Sequence, residues 1–290
     1  MTDWDPEYVA ARGVLLDALE ALAEHRNAIV LVGAQAVYLQ TEALPGYQPY
    51  TTDADLTIDP SILGARPGLE DAMRGAGFRL KNEDTGHPEP GIWETRVTIT
   101  GRHDDLVVPV DLIVPEAVAP PGGRRGARLG GEHGGRAARR ATGLEGALID
   151  HSLIEVAAFD ETDPRRISIN IAGYAALLVA KVHKIGDRAE RPDRLSDKDA
   201  GDVLRLFMST TPQRVGQRLI DLLDDERSGD ATRAGIDGVD ALFGTPASLG
   251  TQMAVRALGG VLEPATVEAT CTTFVAQLLA TLDETGHREP

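Results

Sequence analysis

The stretch Thr51-Thr52-Asp53-Ala54-Asp55-Leu56-Thr57-Ile58-Asp59 sets Asp53, Asp55, Thr57 and Asp59 against Ala54, Leu56 and Ile58 at a period of two. That alternation predicts a half-buried strand over 52–59 with its acids on one face. Just upstream, Ala28-Ile29-Val30-Leu31-Val32 is a continuous apolar run ending at Gly33, which reads as a buried strand, and 34–44 then reads as a helix closed by Pro45-Gly46. An amphipathic helix is expected before it over 7–23, where Val9, Val14, Leu15, Ala18, Leu19 and Leu22 recur at three- and four-residue steps.

Further along, a helix is expected over 69–75 and strands over 78–80, 93–100, 106–114, 152–159 and 166–171. The first part of the chain is thus α/β with a mixed sheet. Residues 120–146 read as a long loop rich in glycine and arginine. From Gly173 onward the pattern is helical, with segments at 174–188, 197–208, 211–224, 247–258 and 264–282. The expected division is an α/β domain over 1–172 and a helical-bundle domain over 173–290, in line with roughly 150 residues per domain for a 290-residue chain. No P-loop, GxGxxG fingerprint, internal repeat or coiled-coil heptad run is present.

Composition narrows the function. Hydrophobic residues are 42% and charged residues 26%, as in ordinary folding chains. Aromatics are few, with five Phe, five Tyr and two Trp, which argues against extended base-stacking platforms. The single cysteine, Cys271, rules out a disulfide framework or a cysteine-ligated zinc site and reads as a small buried hydrophobe. Met1-Thr2-Asp3-Trp4-Asp5-Pro6 lacks the layout of a secretory signal, and no apolar run of the roughly 20 residues needed for a membrane span is apparent, so a cytoplasmic protein without membrane association is expected. The formal charge of −16 repels polyanions unless cations are gathered locally. They are gathered at Arg124, Arg125, Arg128, Arg136, Arg139 and Arg140, where six arginines and one glutamate lie between 121 and 140.

Asp53 and Asp55 stand about 6.6 Å apart along a strand, close enough for two carboxylates to share divalent ions. A third acid, Asp111, lies in Val107-Val108-Pro109-Val110-Asp111-Leu112-Ile113-Val114, where an unpaired carboxylate is costly unless it faces a cleft or binds a cation. A neighbouring strand is able to deliver it to the pair. Mg²⁺ suits such a set because it takes few carboxylates and completes its shell with water and substrate phosphates. An EF-hand is excluded because its sixth position, Ile58, must be glycine. A D-x-D taken alone also describes the solvated side of an edge strand.

In the helical half, Lys181, Lys184 and Arg188 recur at about one-turn steps, and Asp199 and Asp202 lie three apart on the next helix. Cations so placed can clamp a triphosphate, with the acids orienting them or the acceptor. The same pattern also fits a solvated helix face with ordinary ion pairs.

Leu31-Val32-Gly33-Ala34 before a helix, then Thr51-Thr52-Asp53-Ala54-Asp55-Leu56, then Asp111 on a later strand, together resemble the polymerase-beta-like nucleotidyltransferase superfamily, whose pattern is hG[GS], a helix, DhDh and a third acid. Lys181 to Arg188 followed by Asp197-Lys198-Asp199-Ala200-Gly201-Asp202 resembles the Lys-to-Arg helix and KDxxD segment of its AbiEii branch, which includes MenT-type toxins. The resemblance covers about 28–208. It implies an α/β nucleotidyltransferase domain joined to a helical domain, with NTP between them and Mg²⁺ held by Asp53, Asp55 and Asp111. It further implies nucleotide contacts from Gly33, Ala34, Thr51, Lys181, Lys184 and Arg188, with Lys181, Asp199 and Asp202 supporting catalysis. Ala34 departs from the pattern by lacking a side-chain hydroxyl, so backbone N–H groups at the helix start would meet the phosphate. The basic residue that often precedes the acidic pair is also replaced, around Pro49-Tyr50.

The function so implied is a toxin of a toxin–antitoxin pair that transfers NMP to RNA, most readily to a tRNA 3′ end, and is restrained by a cognate antitoxin. Two alternatives stay open. One is transfer to a cationic small molecule of the antibiotic type, which an acidic cleft attracts. The other is a catalytically silent nucleotide-binding regulator.

Overall fold

A computed structural model describes residues 4–122 and 125–287. The chain divides into two compact units. The first comprises Met1–Gln35, Gln48–Ala141 and His151–Ile171, and the second comprises Ala36–Tyr47, Thr142–Asp150 and Ala172–Pro290. Two short segments preceding 173 therefore belong with the helical unit.

The first unit opens with helix α1 (Pro6–Ala21), started by Pro6 and capped by Asp5, whose side chain accepts from the Glu7 backbone N–H at 2.8 Å. Strand β1 (Ile29–Val32) follows, and helix α2 (Gly33–Gln40) leads from the first unit into the second. After β2 (Ala54–Ile58) come helix α3 (Leu69–Gly75), β3 (Arg79–Leu80), β4 (Ile92–Val97) and the long β5 (Leu106–Pro115). The short β6 (Gly126–Ala127), β7 (Ala138–Ala141), β8 (His151–Ala157) and β9 (Arg166–Ala172) complete a nine-stranded mixed sheet.

The strand order is β3-β4-β5-β2-β1-β9-β8, with β7 paired to the end of β5 and β6 paired to β7. β2 runs antiparallel to β1 and parallel to β5. This placement corrects one reading of the sequence: the Asp53–Asp55 strand is central, so its acids are not the wet side of a sheet edge. Centrality also explains why Thr57 is fully buried and Asp59 nearly so, leaving only the first two acids of the alternating set half-buried.

β5 shows how the two sides of the sheet differ. Leu106, Val108, Val110 and Leu112 are buried, whereas Val107 is exposed and Pro109 and Asp111 are intermediate. α1 packs on β2 and β5, and α3 packs on α1. The carboxylates therefore lie on the sheet face away from α1.

The segment expected as a long loop over 120–146 is not one. Its strand Ala138–Ala141 runs parallel to Ile113–Pro115, and β6 pairs with β7 in turn. The unpaired edge of β5 beyond the end of β4 recruits it, because a buried strand must satisfy its backbone N–H and C=O groups.

The second unit holds α4 (Tyr174–Ala189), α5 (Asp197–Ser209), α6 (Pro212–Leu223), α7 (Gly229–Phe243), α8 (Leu249–Leu258) and α9 (Pro264–Glu284). Its core includes Phe207 stacked on Phe274 at 4.2 Å and edge-on to Phe243 at 5.8 Å. α7 was absent from the sequence reading, since Gly229, Gly235, Gly238 and three aspartates dilute its helical signal, although Thr232, Ile236, Val239 and Phe243 form a buried stripe. Among the described residues, α9 is the one helix long and apolar enough to cross a membrane by length and composition alone. It is instead packed against α5, α6, α7 and α8 along Val267, Cys271, Phe274, Val275, Leu278 and Leu282, as a core helix of the bundle.

Candidate functional site

Register assembles the carboxylates. Asp55 on β2 is the direct partner of Asp111 on β5, and Asp55 also faces Val32 on β1. Partners on adjacent strands project to one face, so both carboxyl groups and that of Asp53, two residues back, stand on the same side of the sheet. Two acids of one segment and a third more than 50 residues further along the chain thus meet on neighbouring strands.

Each is held locally. The Thr51 hydroxyl donates to Asp53, and the Asp53 carbonyl accepts from Gln35 Nε2 at 3.1 Å. The Gln35 side-chain oxygen in turn accepts from Arg12 Nε at 2.9 Å, and the Arg12 guanidinium stacks on Phe159 at 4.2 Å. This buried chain anchors the start of β2 to α1 and α2. The signal for it was Arg12 itself, a cation among the buried residues of α1. Sequence reading did not use it.

Asp55 presses on the turn between β1 and α2. Gly33 has φ +73°, and a Cβ built there would lie 2.1 Å from Asp55 Oδ2. Glycine is required on both counts, the left-handed backbone and the close approach. The carboxylate and the first N–H groups of α2 are consequently neighbours.

Asp111 accepts from Arg139 Nε at 2.9 Å and from its Nη2 at 2.7 Å, both on Oδ2. Burial pushes the Asp111 carboxyl above the usual carboxylate range, Arg139 pulls it back, and the charge of Asp53 pushes it up again. The net direction is upward, so burial outweighs Arg139 in disfavouring the charged form.

The arginine segment is divided by these contacts. Arg139 is committed to Asp111, and Arg140 is committed to Glu116 through Nε at 2.9 Å and Nη2 at 2.7 Å. Arg125, Arg128 and Arg136 are exposed, and Arg124 lies outside the described residues. Of the six arginines expected to meet phosphate, Arg125, Arg128 and Arg136 are thus the exposed ones among the described residues.

In the second unit, Lys181 Nζ donates to Asp199 Oδ1 at 2.9 Å and to Asp202 Oδ2 at 2.6 Å. Lys184 reaches Asp199 Oδ1 at 3.0 Å and Arg188 reaches its Oδ2 at 3.3 Å, so one carboxylate gathers three cations. Lys181 is 3% exposed and Asp202 fully buried. Burial works to lower the Lys181 pKa, but attraction to Asp202 and Asp199 overrides it and holds the ammonium well above its ordinary value. Burial works to raise Asp199, and Lys181 and Lys184 override it to hold the carboxyl well below the usual range. Lys184 and Arg188 are the half-exposed members of the group.

Two further groups escaped the sequence reading. Glu94 on β4 and Arg79 on β3 are register partners, and Glu94 is also the partner of Pro109, which by the β2–β5 register stands beside Asp53. They extend the carboxylate face outward.

Mg²⁺ fits this donor set in part. The oxygens are hard, Asp111 shares its Oδ2 with Arg139, and Mg²⁺ needs only one or two carboxylates besides water and phosphate. Among the described residues, no group of three His, Cys, Asp or Glu side chains closes on a common point to form a site from protein ligands alone. Substrate phosphate would thus be part of any metal shell here.

No protein-family model matches the chain, and no curated protein matches its sequence. The reading of the site rests on its own residues.

Proposed function

We propose that this protein is a Mg²⁺-dependent nucleotidyltransferase of the AbiEii/MenT kind, moving NMP from an NTP to an RNA acceptor. The observation that carries the proposal is the register pairing of Asp55 with Asp111, with Asp53 on the same face and the Gly33 turn against Asp55. A strand, a glycine turn and a helix start beside three carboxylates supply both halves of a nucleotide site, an anion cradle and a cation cradle.

In the reaction, the acceptor hydroxyl oxygen forms a bond to the α-phosphorus. The bond from that phosphorus to the oxygen bridging the α- and β-phosphates breaks in line, and pyrophosphate leaves with the electron pair. The hydroxyl proton passes to solvent or to a carboxylate of the face. Mg²⁺, held by Asp53 and Asp55 with Asp111 beside them, would neutralise the phosphate oxygens as charge shifts. Backbone N–H groups at the start of α2 meet phosphate, and Thr51 fixes the orientation of Asp53. Within the second unit, Lys181 is a positioning residue that orders Asp199 and Asp202.

The biological setting that follows is a cytoplasmic toxin acting on the tRNA 3′ end and held in check by a cognate antitoxin. A cationic small-molecule acceptor is the second reading, favoured by the charge of −16 and by the commitment of Arg139 and Arg140 to ion pairs. Incubation with each NTP labelled at the α-phosphate, Mg²⁺ and either total RNA or an aminoglycoside separates the two. Label on RNA supports the proposal, label on the small molecule supports the second reading, and label on neither with intact NTP binding supports a silent regulator.

A further inference from the structure

The carboxylate face ends in a cavity of about 350 Å³ at the β3–β4 side of the first unit, lined by Arg79, Glu83, Asp84, Glu94, Arg96 and Val107 among others. Its size falls within the range of small-ligand sites. Arg79, Glu94 and Pro109 are successive register partners, and the β2–β5 register adds Asp53 to the row. Arg96 partners Val107 in the row beyond, and Lys81 partners Ile92 beside Asp111. The cavity and the three aspartates therefore share one face of one sheet. At about 4.8 Å per strand, Arg79 stands roughly 14 Å from Asp53 across the sheet. Arginine side chains shorten that span.

The lining sets two guanidinium groups, Arg79 and Arg96, against the carboxylates of Glu83, Asp84 and Glu94. Glu83 is held by Arg74 in two hydrogen bonds, at 2.6 and 3.1 Å, and is thereby neutralised. Arg79 and Arg96 are exposed, and among the described residues neither forms an ion pair. Arg79 acts on Glu83 and Arg96 on Glu94 only through space, whereas Arg139 and Arg140 are held in close ion pairs. Asp84 and Glu94 also line the cavity, and Glu94 belongs to the register row that leads to Asp53.

We propose that this cavity seats the terminal phosphodiester of an RNA acceptor, with the guanidinium groups of Arg79 and Arg96 as its anion contacts, so that the acceptor hydroxyl is led along the Arg79–Glu94–Asp53 row toward the carboxylates. The inference rests on the nucleotidyltransferase reading and names where its acceptor enters. A fork of planar donors suits phosphate oxygens, and an enclosure of this size takes one nucleotide and not a length of duplex. Single-stranded ends fit and folded stems do not.

The test is binding of a short fluorescent single-stranded RNA with a free 3′-hydroxyl, followed by anisotropy without NTP or metal, so that it is independent of turnover. Arg79→Ala/Arg96→Ala in the full chain is expected to weaken binding about tenfold and to flatten the salt dependence by about 1.4, from two contacts at about 0.7 each. Arg194→Ala/Arg214→Ala serves as the control for removal of two exposed cations elsewhere and should change affinity less. Equal affinity and equal salt slope in the Arg79/Arg96 variant and the wild type would overturn the proposal, as would a larger loss in the control. Wild-type protein that binds this RNA through Arg79 and Arg96 but transfers no nucleotide would overturn the nucleotidyltransferase reading and leave the docking site standing.

Discussion

Asp55 and Asp111, 56 residues apart in the chain, are direct partners on adjacent parallel strands and share a face of the sheet. Asp55→Asn and Asp111→Asn should each cut transfer by at least about a hundredfold, because a bound metal ion supplies several kcal/mol of charge stabilisation. Both variants should remain folded, since neither carboxylate is part of the apolar face against α1. Rates measured beside circular dichroism spectra check this, and full activity in either variant would remove that residue from the site.

Gly33→Ala should impair both fold and activity. The left-handed backbone costs a non-glycine residue about 1–2 kcal/mol, and the added methyl must displace the Asp55 carboxylate. A denaturant midpoint lowered together with transfer is expected. Wild-type activity would show that the Asp55 position is not critical.

Arg139→Ala should destabilise the first unit by about 1–3 kcal/mol, since it leaves the largely buried Asp111 without its two hydrogen bonds. Its loss should also raise the Asp111 pKa further, because it removes the main downward influence and leaves burial and Asp53, which push upward, opposed only by Lys81. Urea unfolding and the carboxyl titration followed by NMR report the two effects separately. An unchanged titration would show that Arg139 does not govern Asp111.

Lys181→Met should cost the helical unit about 3–5 kcal/mol by leaving Asp202 as an uncompensated buried charge and taking one of three cations from Asp199. The pH dependence follows from the direction of each shift. Asp199 is held below its unfolded value near 3.8, so its contribution is present above that value and is lost as pH falls through the lower folded pKa. Lys181 is held above 10.5, so its contribution is present below that value and is lost only as pH rises through the higher folded pKa. Melting of the helical unit should therefore fall steeply below about pH 4, and Asp199→Asn should flatten that acid limb. An acid limb of unchanged steepness in Asp199→Asn would contradict the assignment.

Cys271 should resist thiol reagents in the native state. It is fully buried on α9, and burial pushes its thiol up to about 12. Labelling at native rates equal to those in denaturant would mean that α9 is not the core helix described here.

Much of this site was legible because period-two alternation around Asp53 and Asp55 is a local signal, as is the apolar run that carries Asp111. What places Asp111 beside Asp55 is not local, since β3 and β4 are inserted between the two strands in sequence and lie outside β5 in the sheet. Arg139 illustrates the limit more sharply. Its partner depends on the pairing of β7 with the far end of β5 across a glycine-rich segment, and no periodicity in four residues of Ala-Arg-Arg-Ala announces a strand. Lys181, Asp199 and Asp202 were visible as residues on two helices, but their enclosure depends on how α4 and α5 pack, so spacing showed the cluster without showing that Lys181 is shielded.

The most direct test of nucleotidyl transfer at the Asp53–Asp55–Asp111 face is to follow one NTP labelled at the α-phosphate and, in parallel, at the γ-phosphate, with Mg²⁺ and RNA, in wild-type and Asp55→Asn protein. Transfer at this face predicts α-label retained on RNA and γ-label released as pyrophosphate in the wild type, with both lost in Asp55→Asn. Label transferred equally by the two proteins, or γ-label appearing on RNA, would contradict it.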